Sequence, residues 1–123
     1  MPFVLDPSSG VPFYRQIIQQ VEHGILAEKL APGDRLPTIR ALAIALKINP
    51  NTIAKAYGEL EIRGIVITQV GSGTYVSDRP VDREQAERTK KLEEKVARFV
   101  KDMSELGAKR DEMIAFVRDF KEA

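Results

Sequence analysis

Seven consecutive residues, Asn49-Pro50-Asn51-Thr52-Ile53-Ala54-Lys55, set polar and cationic side chains beside an apolar stripe. Helical spacing puts Ile53, Ala56 and Leu60 on one face, so Asn51, Thr52, Ala54 and Lys55 point away from it. An Asn amide can bond adenine through two hydrogen bonds. Thr can touch a thymine methyl or a phosphate, and Lys can reach a phosphate or a guanine. The helix N-terminus itself favours a nearby phosphate. The plainer use of Asn49 and Thr52 is as helix caps. Capping is the preferred reading for Asn49, and contact with DNA for Asn51, Thr52 and Lys55.

Two arginines precede this stretch. Arg40 stands near the start of the preceding helix, where a DNA backbone would cross, and would clamp a phosphate or base edge. Its alternative is a surface ion pair with Glu22 or Glu28, worth little. Arg35 faces a similar choice. Further on, Gly71-Ser72-Gly73 carries no bulky side chain, so its N–H groups can approach a phosphate or the minor groove, with Thr74 beside it. Alone, such a tripeptide is more often only a turn.

Other chemistries find few residues. With no Cys, a disulfide scaffold, a thiol nucleophile and a thiolate metal site are all excluded. His23 is the one His, so a multi-His metal site is excluded as well. No nucleophile–base set, phosphate-binding loop or dinucleotide fingerprint occurs. The reading is therefore not an enzyme, with no catalytic residues, no metal and no cofactor. No apolar run nears the roughly 20 residues that cross a bilayer. Met1 to Gly10 lacks the basic and apolar regions of a signal peptide. The expectation is a soluble cytoplasmic protein with no membrane partner.

The elements that must position these residues emerge from period and punctuation. Val11–Leu30 repeats apolar residues at Phe13, Ile17, Val21, Ile25 and Leu26, a helix ended by Ala31-Pro32-Gly33-Asp34. Thr38 caps a short helix, Ile39 to Leu46, that buries Ile39, Leu42, Ala43 and Leu46. Asn49-Pro50 opens the next helix, which runs to about Arg63 and stops at Gly64. Ile65–Thr68 and Thr74–Val76 read as two strands about the glycine turn. Helix, helix, short turn, helix and hairpin make a winged helix-turn-helix. Its third helix is the one that enters a major groove.

Composition changes near Ser77–Val81. Residues 1–78 hold seven of the eight Gly and six of the seven Pro; residues 79–123 are densely charged and helical. Ser77-Asp78-Arg79-Pro80-Val81-Asp82 reads as the connector. Asp82–Leu106 is one long helix, Gly107 breaks it, and Ala108–Lys121 is a shorter one. Leu92, Val96, Phe99, Val100 and Met103 repeat on the first; Phe116, Val117 and Phe120 lie on the second. Two amphipathic helices alone make a poor core, so this stripe needs either the first domain or a second copy of the chain. Arg88-Thr89-Lys90-Lys91 reads as a solvated face. The fold class is mainly α with a small β-hairpin: a winged helix-turn-helix domain at 1–78, then a two-helix dimerisation or effector segment at 79–123. Net charge is +1; residues 1–78 hold 7 Lys/Arg and 7 Asp/Glu, and residues 79–123 hold 12 and 11. Any nucleic-acid binding must therefore rest on where the charges sit.

In this order the motifs are familiar. Pro12-Phe13-Tyr14-Arg15-Gln16-Ile17, Pro32 through Ala43, Asn51 through Tyr57, Leu60-Glu61, Gly64-Ile65 and Gly71 through Val76 closely resemble the DNA-binding domain of the GntR family of bacterial transcription regulators. The resemblance covers roughly residues 10–77. Residues 79–123 are too few for the family's larger sensor domains and are similar to the ending of the small YtrA-type subfamily, whose short C-terminal helices chiefly build a dimer. The resemblance implies DNA contact for Arg40, a recognition helix carrying Asn51, Thr52 and Lys55, and a wing carrying Gly71 and Gly73. Lys29 stands where members often carry Gly. Pro50 and Ala54 stand where some subfamilies carry Arg, so those subfamilies' base preferences do not transfer.

The resulting expectation is a homodimeric, sequence-specific regulator, a repressor by family habit, on an operator in double-stranded DNA. Pairing through the C-terminal helices would set two recognition helices about 34 Å apart and so demand an inverted repeat. A protein-interaction module without DNA and a non-specific architectural DNA binder are the rivals. A small-molecule effector of unknown identity would sit among Phe99, Met103, Phe116 and Phe120; a dry dimer core is the preferred use of those residues.

Overall fold

The computed structural model describes residues 2–79 and 81–122. Pro80, within the expected connector, lies outside the described residues. The elements run α1 (Phe13–Leu26), α2 (Ile39–Leu46), α3 (Pro50–Ile62), β1 (Val66–Gln69), β2 (Gly73–Val76), α4 (Arg83–Glu105) and α5 (Arg110–Asp119). Contacts divide the chain into two compact units, Met1–Ala86 and Glu87–Ala123.

The first unit is built on α3. Ile53, Ala56, Tyr57 and Leu60 are buried on one face of it, against Ile17, Ile18 and Val21 of α1 and Leu42 and Ala43 of α2. Full burial of side chains such as Ile17, Ile53 and Leu60 stabilises by about 1.5–3 kcal/mol each. Local chemistry sets the ends. Thr38 Oγ1 accepts the Ala41 N–H at 3.0 Å to open α2. Asn49 Oδ1 accepts the Asn51 N–H at 2.8 Å, with Pro50 in the first turn of α3. Asn49 is thus a cap, and the helix it opens carries the outward residues. Gly64, at φ +73°, lets the Ile65 N–H fold back onto the Leu60 carbonyl and ends α3.

Two expectations are corrected. The first helix ends at Leu26 and not Leu30, because Glu28 turns left-handed (φ 59°) and the Lys29 and Leu30 N–H groups both bond the Gly24 carbonyl. Ile39 stays 37% exposed and Leu46 half-buried, since each stands at an end of an eight-residue helix, at the margin of its packed face.

β1 and β2 pair antiparallel, with Val66 opposite Val76 and Gln69 opposite Gly73. The segment that leaves the expected turn at residues 31–34 joins them. Asp34 to Leu36 runs along β2: the Leu36 N–H bonds the Thr74 carbonyl, the Val76 N–H bonds the Asp34 carbonyl, and Arg35 bridges Tyr75. Before α1, the side chain of Gln16, only 7% exposed, binds the Asp6 N–H and the carbonyls of Asp6 and Val11. Gln20 does the same for both backbone groups of Val4.

Asp82 Oδ1 accepts the Gln85 N–H at 3.1 Å at the start of α4, a 23-residue helix with no buried residue. In the second unit Gly107 (φ +84°) closes that helix, with the Ala108 N–H on the Met103 carbonyl. There Met113 is buried, while Phe99, Phe116 and Phe120 are 37%, 62% and 76% exposed.

Candidate nucleic-acid interface

The solvent side of α3 carries Asn51, Ala54 and Lys55, all exposed, with Thr52 half-buried beside them. Its first turn holds no acid. The Tyr57 hydroxyl, on the buried side, donates to the Pro37 carbonyl at 2.7 Å and ties α3 to the residues just before α2. Burial pushes that phenol's pKa upward, so it stays a neutral donor.

Arg40 stands exposed in the first turn of α2. The alternative ion pair with Glu22 is not formed: Glu22 lies 3.9 Å from Arg63, which follows α3. Arg63 also approaches Glu59 at 3.6 Å, one turn away. From Arg35 to Gly58 the chain has four cations, Arg35, Arg40, Lys47 and Lys55, and no Asp or Glu. An acid-free run across α2, the turn and most of α3 is the sequence signal that a whole-chain charge count hides. It brings in Lys47, exposed at the left-handed end of α2 (φ 58°), which the sequence-derived set omits.

The hairpin makes the wing. Val70 is fully exposed at its tip, next to Gly71 at φ +77°. The Ser72 N–H does not point outward; it closes the turn on the Gln69 carbonyl at 2.9 Å, and the Ser72 and Tyr75 hydroxyls share a 2.6 Å bond. Thr74 Oγ1 lies 3.5 Å from the Thr68 hydroxyl, which donates to Glu61 at 3.2 Å. Thr74 is thus turned toward its strand partner and α3. Arg35 lies against the wing: a Cβ at Gly73 would fall 2.8 Å from its Nε. Arg35, Gly73 and β2 form one assembly.

At Lys55 a ring from α1 comes close, and a second cation lies near the same ring. The Lys55 ammonium sits 4.0 Å from the centre of the Tyr14 ring, and the Arg15 guanidinium carbon lies 5.8 Å from the same centre. Both belong to the opening turn of α1. Sequence reasoning left them out because 41 positions separate Tyr14 from Lys55, and helical periodicity says nothing across that distance.

The stripe on the second unit is open. Leu92, Val96 and Phe99 on α4 and Phe116, Val117 and Phe120 are all exposed, with Val100 and Met103 half-buried. Phe99, Met103, Phe116, Val117 and Phe120 line a groove of about 650 Å³. Among the described residues no His/Cys/Asp/Glu cluster could hold a metal ion, and no helix is long and apolar enough to cross a membrane. His23 is exposed near the end of α1.

Comparison with known proteins bears on the family and the fold. The family model described as bacterial regulatory proteins, gntR family, matches residues 13–76. An uncharacterized HTH-type transcriptional regulator of Bacillus subtilis, YhcF, is 40% identical over 119 residues, covering 93% of each chain. The B. subtilis HTH-type transcriptional repressor YtrA is 50% identical over 74 residues, 60% of this chain and 57% of its own. Among solved structures, the DNA-binding domain of AraR in complex with operator ORX1 superposes with a TM-score of 0.53 at 28% identity, covering 60% of this chain and 92% of that one.

Proposed function

The chain belongs to the GntR family of bacterial regulatory proteins as a YtrA-type, DNA-binding transcriptional regulator and not an enzyme, and we propose that it acts as a homodimeric repressor on an inverted-repeat operator. One observation carries this reading. α3 presents Asn51, Thr52 and Lys55 outward from an acid-free run of four cations, flanked by a wing. In a protein of net charge +1, that run supplies the local positive surface that phosphates require. Asn51 and Thr52 read base edges, and Arg40 grips the backbone or a base edge from α2. Arg35 with Gly71 and Gly73 forms the wing contact, while Ser72 and Thr74, engaged within the hairpin, shape it.

The DNA-binding part spans residues 1–78, and residues 79–123 pair two subunits. Leu92, Val96, Phe99, Val100, Met103, Phe116, Val117 and Phe120 supply the shared core, since a stripe this exposed on one chain needs a cover. A small-molecule effector in the groove between Phe99 and Phe120 is the competing occupant, and the apolar lining favours a second subunit. The protein works in the cytoplasm, where its DNA is.

Binding-site selection from short genomic fragments at about 150 mM salt tests the reading, with wild type and Arg40→Ala in parallel. The expected result is an enriched inverted repeat that the variant loses. A folded wild type that enriches nothing, with or without cell extract as a source of effector, refutes it.

A further inference from the structure

The contact between α3 and α1 decides what Lys55 does. A lysine on a recognition helix can serve as a base reader, seeking guanine O6 and N7, or as a point charge for a phosphate. Its four-carbon stem is flexible, and ordering it on binding costs affinity. Here the stem is already committed: the ammonium lies over the Tyr14 ring at 4.0 Å, inside the range of a cation–π contact. Among the described residues no acid pairs with Lys55. An ammonium facing a ring still has N–H donors directed elsewhere. Arg15 adds a second positive charge on the same ring, its Nε donating to the Tyr14 hydroxyl at 3.3 Å. The ring therefore draws the Lys55 charge off the axis of α3 to the side of α1.

We propose that Tyr14 is a positioning residue for DNA contact: its ring holds the Lys55 ammonium against α1, to one side of α3, where it takes a backbone phosphate and not a base edge. This rests on the operator-binding reading above and sharpens it. Base discrimination falls to Asn51 and Thr52, while Lys55 sets affinity and register. A compact ammonium held to one side of the helix suits a phosphate as a point charge, whereas guanine offers two neutral acceptors in one plane.

The test compares full-length wild type, Tyr14→Phe, Tyr14→Leu, Lys55→Met and the double variant Tyr14→Leu/Lys55→Met. Fluorescence anisotropy gives Kd across about 50–300 mM salt. The probes are the repeat enriched by wild type, its single-base variants and a random-sequence duplex of about 30 base pairs, a length of roughly three turns. Lys55→Met should lower the salt slope by roughly 0.9 per subunit and weaken every sequence by one common factor. Tyr14→Leu should weaken binding roughly 2- to 10-fold per subunit, the cost of ordering one long side chain. Tyr14→Phe, which keeps the ring, should restore binding close to wild type. On the Lys55→Met background, Tyr14→Leu should cost nothing further, which a purely structural Tyr14 would not satisfy.

An unchanged salt slope with discrimination lost at particular base pairs makes Lys55 a base reader and overturns the proposal. Equal losses from Tyr14→Leu in both backgrounds overturn the positioning role. If wild type enriches no repeat, the operator reading fails, while the slope on the random duplex still decides the fate of Lys55. Failure to bind any duplex overturns both.

Discussion

Replacing Gly73 by Ala probes how the wing is held. Gly73 sits at φ +150°, a conformation L residues rarely adopt, and a Cβ there would lie 2.8 Å from Arg35 Nε, 3.3 Å from Nη2 and 3.4 Å from Cζ. Backbone strain of this kind costs about 1–3 kcal/mol. The clash adds a second cost. Arg35 is exposed and can swing away, so displacing it should cost about 1 kcal/mol, the low end of overpacking. Together these predict a loss of at least roughly 2 kcal/mol, or a fall in Tm of about 8–16 °C for a unit of this size. Urea unfolding of wild type, Gly73→Ala, Arg35→Ala and the double variant separates the two parts. With the Arg35 side chain removed, only backbone strain remains, so Gly73→Ala should cost about 1 kcal/mol less in that background. DNA affinity should show the same pattern, with Gly73→Ala and Arg35→Ala non-additive. A coupling below about 0.5 kcal/mol would refute the claim that Arg35 and the wing glycine are one assembly.

The caps, the open stripe and one carboxylate give further expected outcomes. Asn49→Ala removes the cap on α3 and should cost about 1 kcal/mol in urea unfolding, while Asn49→Asp, which keeps an acceptor, should lie near wild type. Phe99→Glu with Phe120→Glu should turn a dimer into a monomer in sedimentation equilibrium, since two charges cannot be buried in an apolar seam. A dimer that survives both changes would place the interface elsewhere. The Ser8 hydroxyl and N–H both donate to Asp6 and hold its pKa below the ordinary 3.8. A lowered folded-state pKa means the contact contributes above the unfolded value and is lost as pH falls through the folded one. Ser8→Ala should therefore raise the Asp6 midpoint in an NMR titration, and an unmoved midpoint would contradict the assigned cause.

What was legible in the sequence is what is local. α2 begins and ends at Ile39 and Leu46 as read, because Thr38 caps one end and the Lys47 turn closes the other. The buried face of α3 is the one its spacing predicts, as Ile53, Ala56, Tyr57 and Leu60 all lie inside. What was missed needed contacts between distant positions. Asp34–Leu36 looks like a loop until β2 lies beside it, for its role is carried by backbone hydrogen bonds and not by side-chain pattern. The first ten residues carry no helical or strand period, yet two glutamines one turn apart on α1 hold Val4 and Asp6 through paired amide bonds. Arg35 on Gly73 and Lys55 on Tyr14 are likewise invisible to periodicity. The apolar stripe on α4 was legible, since spacings of three and four mark a face whatever covers it.

The acid-free run from Arg35 to Gly58 also governs how the protein searches. Beyond a screening length of about 8 Å at physiological salt, a partner meets an almost neutral particle, and little draws it in from afar. Within that distance the encounter should be sorted by orientation, because the acid-free segment attracts phosphates while the rest of a charge-balanced chain does not. On random DNA, a small number of ion contacts should make for a short stay. Search of this kind proceeds by many brief, correctly turned touches, with less time spent travelling along any one stretch. Spreading the same four cations evenly over the surface would leave the net charge at +1 and slow the finding of a site.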